Sequence, residues 1–143
     1  MRSARCSGSA LVEFALVSPL LLVILLGAID FGRVSYAAMA LTNAARAGAQ
    51  YGSQSVALSN DTSGMEAAAI SSSSLDVADM SAAAARRCEC AGTAQACNGT
   101  CVSTLRIYVA VTTTKVFSTI TQFPGFPHTI TLTRASHMRV QAP

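Results

Sequence analysis

Charged side chains are scarce in this sequence. Asp, Glu, Lys and Arg make up 12% of its 143 residues, against roughly 25% in a typical soluble domain. Hydrophobic residues account for 51%, and mean hydropathy is +0.43. That balance excludes an ordinary soluble domain of this size and points to lipid. The length leaves no room for a large enzyme. A basic surface is missing too: of the ten Lys and Arg, Arg2 and Arg5 fall in the first eight residues, and Arg86-Arg87 is the only adjacent basic pair. With no basic stripe and no interleaved aromatics, a nucleic-acid partner is excluded. Cys-x-x-Cys is absent, and His128 and His137 stand apart from any Ser, Cys or carboxylate arrangement. No catalytic set, cofactor or metal centre is expected, so the chain is read as a non-enzyme.

What the sequence does have is one long apolar run. Ala10 to Ile29 contains a single ionisable residue, Glu13. As a helix at 1.5 Å per residue this run is roughly 30 Å long, enough to span a bilayer. Arg2 and Arg5 precede it, and the positive-inside bias places the N-terminus in the cytoplasm and the remainder outside. The helical pattern continues through an alanine-rich stretch to Gly52, the first good C-terminal stop, which predicts one helix of about forty residues. A cleaved secretory signal ending near Ala28 would not need that continuation. The small residues Ala37 to Ala49 would let another helix approach closely, and Pro19 would kink the helix.

Glu13 requires an explanation, because an uncompensated carboxylate at mid-membrane costs about 2.5–3.5 kcal/mol, and less near the interface. Snorkelling to the inner headgroups is the plain account. The context offers another. In Gly8-Ser9-Ala10-Leu11-Val12-Glu13-Phe14, the carboxylate is the fifth residue after a glycine that ends a basic leader. This arrangement resembles a prepilin peptidase site. Cleavage between Gly8 and Ser9 would retain the apolar helix and create an ammonium at Ser9, able to pair with Glu13 of a neighbouring subunit in a low-dielectric zone.

With ALVEFALV at Ala10 to Val17, Pro19 in a leucine-rich run, Asp30-Phe31-Gly32-Arg33 and Asn43-Ala44-Ala45-Arg46, the first fifty or so residues resemble the TadE-like family of pseudopilins from tight-adherence (Flp-type) pilus systems. The resemblance implies processing by a prepilin peptidase and residence in the bacterial inner membrane or the surface pilus. It also implies a minor role in pilus assembly and cell adhesion, with the major pilin, other pseudopilins and an inner-membrane assembly platform as partners. The alternative from another class is a membrane-anchored binding or adhesive domain not built into a pilus. Asp30 and Arg33 read as an i, i+3 pair at the outer interface.

The expected organisation is a leader at 1–8, the membrane-spanning and extended helix at 9–52, and a small periplasmic domain at 53–143. The fold class is α+β. Gly52 to Gly64 reads as a loop and Met65 to Ser72 as a short helix, with a weak strand from near Ala82 towards Cys90. Thr104 to Val111 alternates at period two, as do Thr129 to Thr133, which His137 to Gln141 would extend. Phe123 to Pro127 is the turn between them. Together they predict an antiparallel sheet packed on the short helix and on the outer half of the long one.

Four cysteines, Cys88, Cys90, Cys97 and Cys101, crowd into one loop at 88–101, and the fifth, Cys6, lies in the leader. In an oxidising periplasm two disulfides are expected, and some TadE-like proteins have a similar cysteine-bearing loop. Zinc is the runner-up, but the gaps of one, six and three residues do not suit its usual knuckles. Of three possible pairings a hairpin favours the nested one, Cys88 with Cys101 and Cys90 with Cys97.

Overall fold

A computed structural model describes residues 7–120 and 127–141. Its first element, α1 (Ser7–Ser53), is a single helix of 47 residues with Pro19 inside it, about 70 Å long. A 3-10 turn at Leu58–Asn60 leads into α2 (Thr62–Ser71), and four strands follow: β1 (Met80–Cys90), β2 (Thr93–Gln95), β3 (Leu105–Ser118) and β4 (Thr129–Arg139). They form one sheet in the order β2-β1-β3-β4 with every pairing antiparallel. The architecture is the expected α+β arrangement of a long apolar helix followed by a small sheet domain. The turn predicted at Phe123 to Pro127 falls, but for Pro127, outside the described residues, as do Cys6 and most of the leader.

The two halves of α1 differ in what surrounds them. Large side chains from Leu11 to Ile29 stay exposed on every side, Leu16 at 75% and Leu20 at 62%. So large a contiguous apolar surface calls for lipid or another subunit. Beyond Asp30 a stripe is buried at helical spacing: Ala37, Ala40, Leu41, Ala44, Ala45, Gly48, Ala49 and Gly52. The small residues of this stripe admit close approach, as their size suggests, but what approaches is the chain's own sheet and α2 rather than a second membrane helix.

Two clusters form the core. Ala49, Met65, Ala69, Val109, Val111 and Val140 join α1, α2 and the sheet. Nearer the membrane-spanning half, Ala37, Leu41, Phe117 and Leu132 do the same without α2. Between them the buried Thr113 hydroxyl donates to the Leu41 carbonyl at 3.0 Å, satisfying a polar group inside an apolar seam. Strand β3 therefore runs past the expected end at Val111: Thr113, Lys115 and Phe117 continue the helix-facing side although two of the three are polar.

Helix α2 is anchored at its start by Asp61. The carboxylate accepts from the Gly64 amide at 2.9 Å, the Ser63 hydroxyl at 2.9 Å and the Tyr51 hydroxyl at 2.9 Å, so one side chain caps α2 and ties it to the end of α1. The Gly64 amide, followed by the Ser63 and Tyr51 hydroxyls, holds the Asp61 carboxyl below its usual range. A lowered folded-state pKa gives stability that is complete above the unfolded value, about 3.9, and is lost as pH falls through the folded one. Asp61→Asn, which keeps an N-cap acceptor of equal rank and removes the charge, should therefore flatten the acid limb of a Tm-against-pH profile. A profile parallel to that of the unmodified protein would remove Asp61 from the account.

Candidate functional site

At the start of α1, the exposed Glu13 accepts a hydrogen bond from the Ser9 hydroxyl, one turn earlier, at 3.4 Å. Gly8 lies in the first turn with open space around its Cα, since a Cβ built there meets nothing within 4 Å. The first helical turn has backbone amides without intrahelical acceptors. Phe14, beside Glu13, is also exposed. These four residues, singled out from the sequence, occupy about two turns of one bare helix end. Among the described residues, no part of the folded domain covers them.

The second polar feature of α1 is at the other end of the apolar run. Asp30 is 7% exposed although charged. Its Oδ1 faces the Arg33 guanidinium at 3.3 Å, the expected i, i+3 pair, and accepts the backbone amide of Ile120 at 3.1 Å. Arg33 in turn sits over the Phe117 ring, 5.0 Å from its centroid, a cation–π contact. In the sequence, Asp30 and Arg33 mark the outer interface. In the fold they also latch the end of β3 to the helix where the apolar run stops.

Beside this latch lies a groove of about 610 Å³ whose lining includes Arg33, Tyr36, Asp76, Asp79 and Lys115. Lys115 donates to the carbonyls of Asp76 and Ala78 at 2.7 and 2.6 Å, and Tyr36 donates to Ser74 at 3.1 Å. None of Asp76, Asp79 and Lys115 carried a sequence signal, because residues forty or more positions apart from Arg33 meet it only through the topology. A smaller groove along the free edge of the sheet is lined by Thr42, Asn43, Arg46 and Arg134, which places part of the Asn43 to Arg46 motif on the surface.

The cysteine loop is at the opposite end of the sheet. Cys88 pairs with Cys97 and Cys90 with Cys101, so the cysteines make disulfides, but crossed rather than nested as expected. The cause is the turn between β1 and β2. Ala91 and Gly92 have φ of 52° and 85°, which makes a two-residue hairpin that puts Thr93 opposite Cys90 and Gln95 opposite Cys88. Cys97 therefore arrives beside Cys88. The chain then reverses, with the Gly99 amide bonded to the Ala96 carbonyl at 3.0 Å, and returns Cys101 to Cys90. Nesting would have required the hairpin to close nearer Cys97.

This pairing is testable without a reductant. Cleavage after Glu89 and between Asn98 and Gly99 should leave all three pieces joined, whereas nested bridges would release the peptide 90–98. Alkylation should find these four thiols blocked until reductant is added, and four freely reactive thiols would defeat the disulfides altogether. Among the described residues no three His, Cys, Asp or Glu side chains are grouped to hold a metal. His128 and His137 are both exposed.

The helix Gly8–Ser53 is the one described element long and apolar enough to cross a membrane. No curated protein and no solved structure matches the chain. Residues 8–50 match the sequence model of the family described as TadE-like protein. That match covers the exposed Glu13 end, the Asp30 latch and the Asn43 to Arg46 motif, and over this long helix the chain is TadE-like.

Proposed function

We propose that this protein is a minor pseudopilin of a Tad/Flp pilus system, cut after Gly8 by a prepilin peptidase and held in the inner membrane by α1 with its sheet domain in the periplasm. The TadE-like segment supports the coarser reading, a Tad/Flp pilus-associated component. The finer reading is carried by one observation. Glu13 sits exposed on an apolar helix end, and among the described residues its bonding partner is a hydroxyl rather than a cation.

A single subunit in lipid leaves that carboxylate poorly compensated. Cleavage would add an ammonium at Ser9 in the same zone. Within one straight helix, the Ser9 nitrogen and Glu13 belong to the same rod and are fixed by its geometry. A laterally packed neighbour, shifted along the axis, brings one subunit's ammonium against another's carboxylate. Assembly then relieves two buried charges at once, and the bare apolar half of α1 supplies the packing surface.

Mass spectrometry of the mature N-terminus tests the first step. A chain beginning at Ser9 is expected when the peptidase is present. An intact Met1, or a cut near Ala28, would overturn it.

A further inference from the structure

We infer that the groove beside the Asp30–Arg33 latch is a binding site for a zwitterionic phospholipid headgroup, which seats the sheet domain on the outer face of the bilayer; this rests on α1 spanning the membrane. The placement comes from one hydrogen bond. Ile120 donates its amide to Asp30, the first residue after the apolar run, so the end of β3 stands at the height where the span leaves the hydrocarbon. Ile120, Val116 and Val77 are 57%, 48% and 50% exposed around this end, and Phe31 on the helix is 75% exposed. Large apolar side chains beside a membrane boundary have the acyl and glycerol region as their natural solvent.

The groove has both charges of the ligand. On the cationic side, Arg33 and Lys115 line it, the positions a phosphate would take. On the anionic side, Asp76 and Asp79 line it, suited to an ammonium. Asp76 accepts the Ala78 amide at 3.1 Å, whereas the Asp79 carboxylate has no hydrogen bond among the described residues. Tyr36, 54% exposed, adds an aromatic ring of the kind enriched at headgroup level. An anionic headgroup without an amine would leave Asp79 facing like charge, so a phosphoethanolamine headgroup is the better match.

The chain contains no tryptophan, so Leu21→Trp, Ile120→Trp and Val102→Trp each give a full-length protein with one indole reporter. Nanodiscs of phosphatidylethanolamine and phosphatidylglycerol supply the bilayer. Lipids brominated at mid-chain should quench Leu21→Trp, which reports the span. Lipids brominated near the glycerol should quench Ile120→Trp at least about twofold more than Val102→Trp, at the far end of the sheet. Quenching at Leu21→Trp with none at Ile120→Trp would overturn the seat on the membrane and leave the span intact. Absence of quenching at Leu21→Trp would remove the span and this inference with it.

Headgroup choice is read by placing the bromines on one lipid at a time. Brominated phosphatidylethanolamine should quench Ile120→Trp about twofold more than brominated phosphatidylglycerol, a ratio within the range for one partly exposed charge pair. Asp79 has φ of 61°, a left-handed conformation that Asn also tolerates, so Asp79→Asn removes the charge and leaves the backbone undisturbed. Added to Ile120→Trp, it should bring the ratio to about one. Equal quenching by the two lipids before that change, or an unaltered ratio after it, would overturn the headgroup assignment.

Discussion

Glu13→Gln should leave the chain inserted and cut after Gly8 while lowering the yield of assembled pilus by about tenfold or more, with roughly a hundredfold as the ceiling set by the 2.5–3.5 kcal/mol that an uncompensated carboxylate costs in mid-membrane, since Glu13 lies nearer the inner interface. The sign follows from what the substitution removes. Gln is isosteric, keeps the Ser9 hydroxyl as a neighbour, and inserts more easily than Glu, so neither folding nor membrane entry suffers. What disappears is the charge that makes an isolated subunit unfavourable and a paired one favourable. Sheared pili quantified against total membrane-bound subunit, with the mature N-terminus checked in the same sample, give the measurement. Full assembly by the variant would reduce Glu13 to a residue that snorkels to the headgroups, and the pairing step would have to be abandoned.

The candidate residues at the start of α1 stand out in the sequence because they are all local. Gly8, Ser9, Glu13 and Phe14 lie within two helical turns, and a lone carboxylate in a twenty-residue apolar run is conspicuous without any knowledge of tertiary structure. The long helix was legible for the same reason, since apolar residues followed by alanines, with Gly52 as the first stop, specify one element. Strand β1 gave a weaker signal: its central residues, Ala82 to Ala85, have low β-propensity, and only pairing with β3 along its whole length, Met80 opposite Lys115 to Cys90 opposite Leu105, settles it as a strand.

What the sequence hid depends on register and on long-range approach. The cysteine spacing allowed three pairings, and the crossed one is selected by a two-residue turn in which Ala91, a poor sequence signal for positive φ, takes the left-handed conformation. The extension of β3 to Ser118 was masked by Thr112 to Thr114, which break an apolar alternation although Thr113 is fully buried against the Leu41 carbonyl. The groove next to Arg33 draws on α1, the segment before β1, and β3. Such a site is written in the topology. Strand β3 then spans, at about 3.3 Å per residue, roughly 45 Å from the latch at Asp30 to the cysteine loop. The domain thus stands along α1, with its disulfides at the end farther from the apolar run.

The same substitution at two glycines of α1 should have opposite effects. At Gly32 a Cβ would meet nothing within 4 Å, so Gly32→Ala should stabilise the helix by about 0.5–1 kcal/mol through lost backbone freedom in the unfolded chain. At Gly48 it would stand 2.6 Å from the Met65 carbonyl oxygen, 3.0 Å from the Ala69 methyl and 3.1 Å from a Val111 methyl. The first of these is backbone of α2, so no rotamer change relieves it, and α2 must move away from the core that Met65 and Ala69 complete. Overpacking of this kind costs about 1–3 kcal/mol, which exceeds the helix-propensity gain. Gly48→Val, with two further methyls in the seam and a β-branched side chain, should reach the upper end. For a domain of this size about 3 kcal/mol lowers Tm by more than 10 °C and is a large fraction of a typical total stability of about 5–15 kcal/mol. Thermal unfolding of the full chain in nanodiscs, followed by proteolysis of the sheet domain, distinguishes the two positions. A Gly48→Val protein as stable as the unmodified one would mean that α2 does not pack on α1 as described, and the core joining them would have to be redrawn.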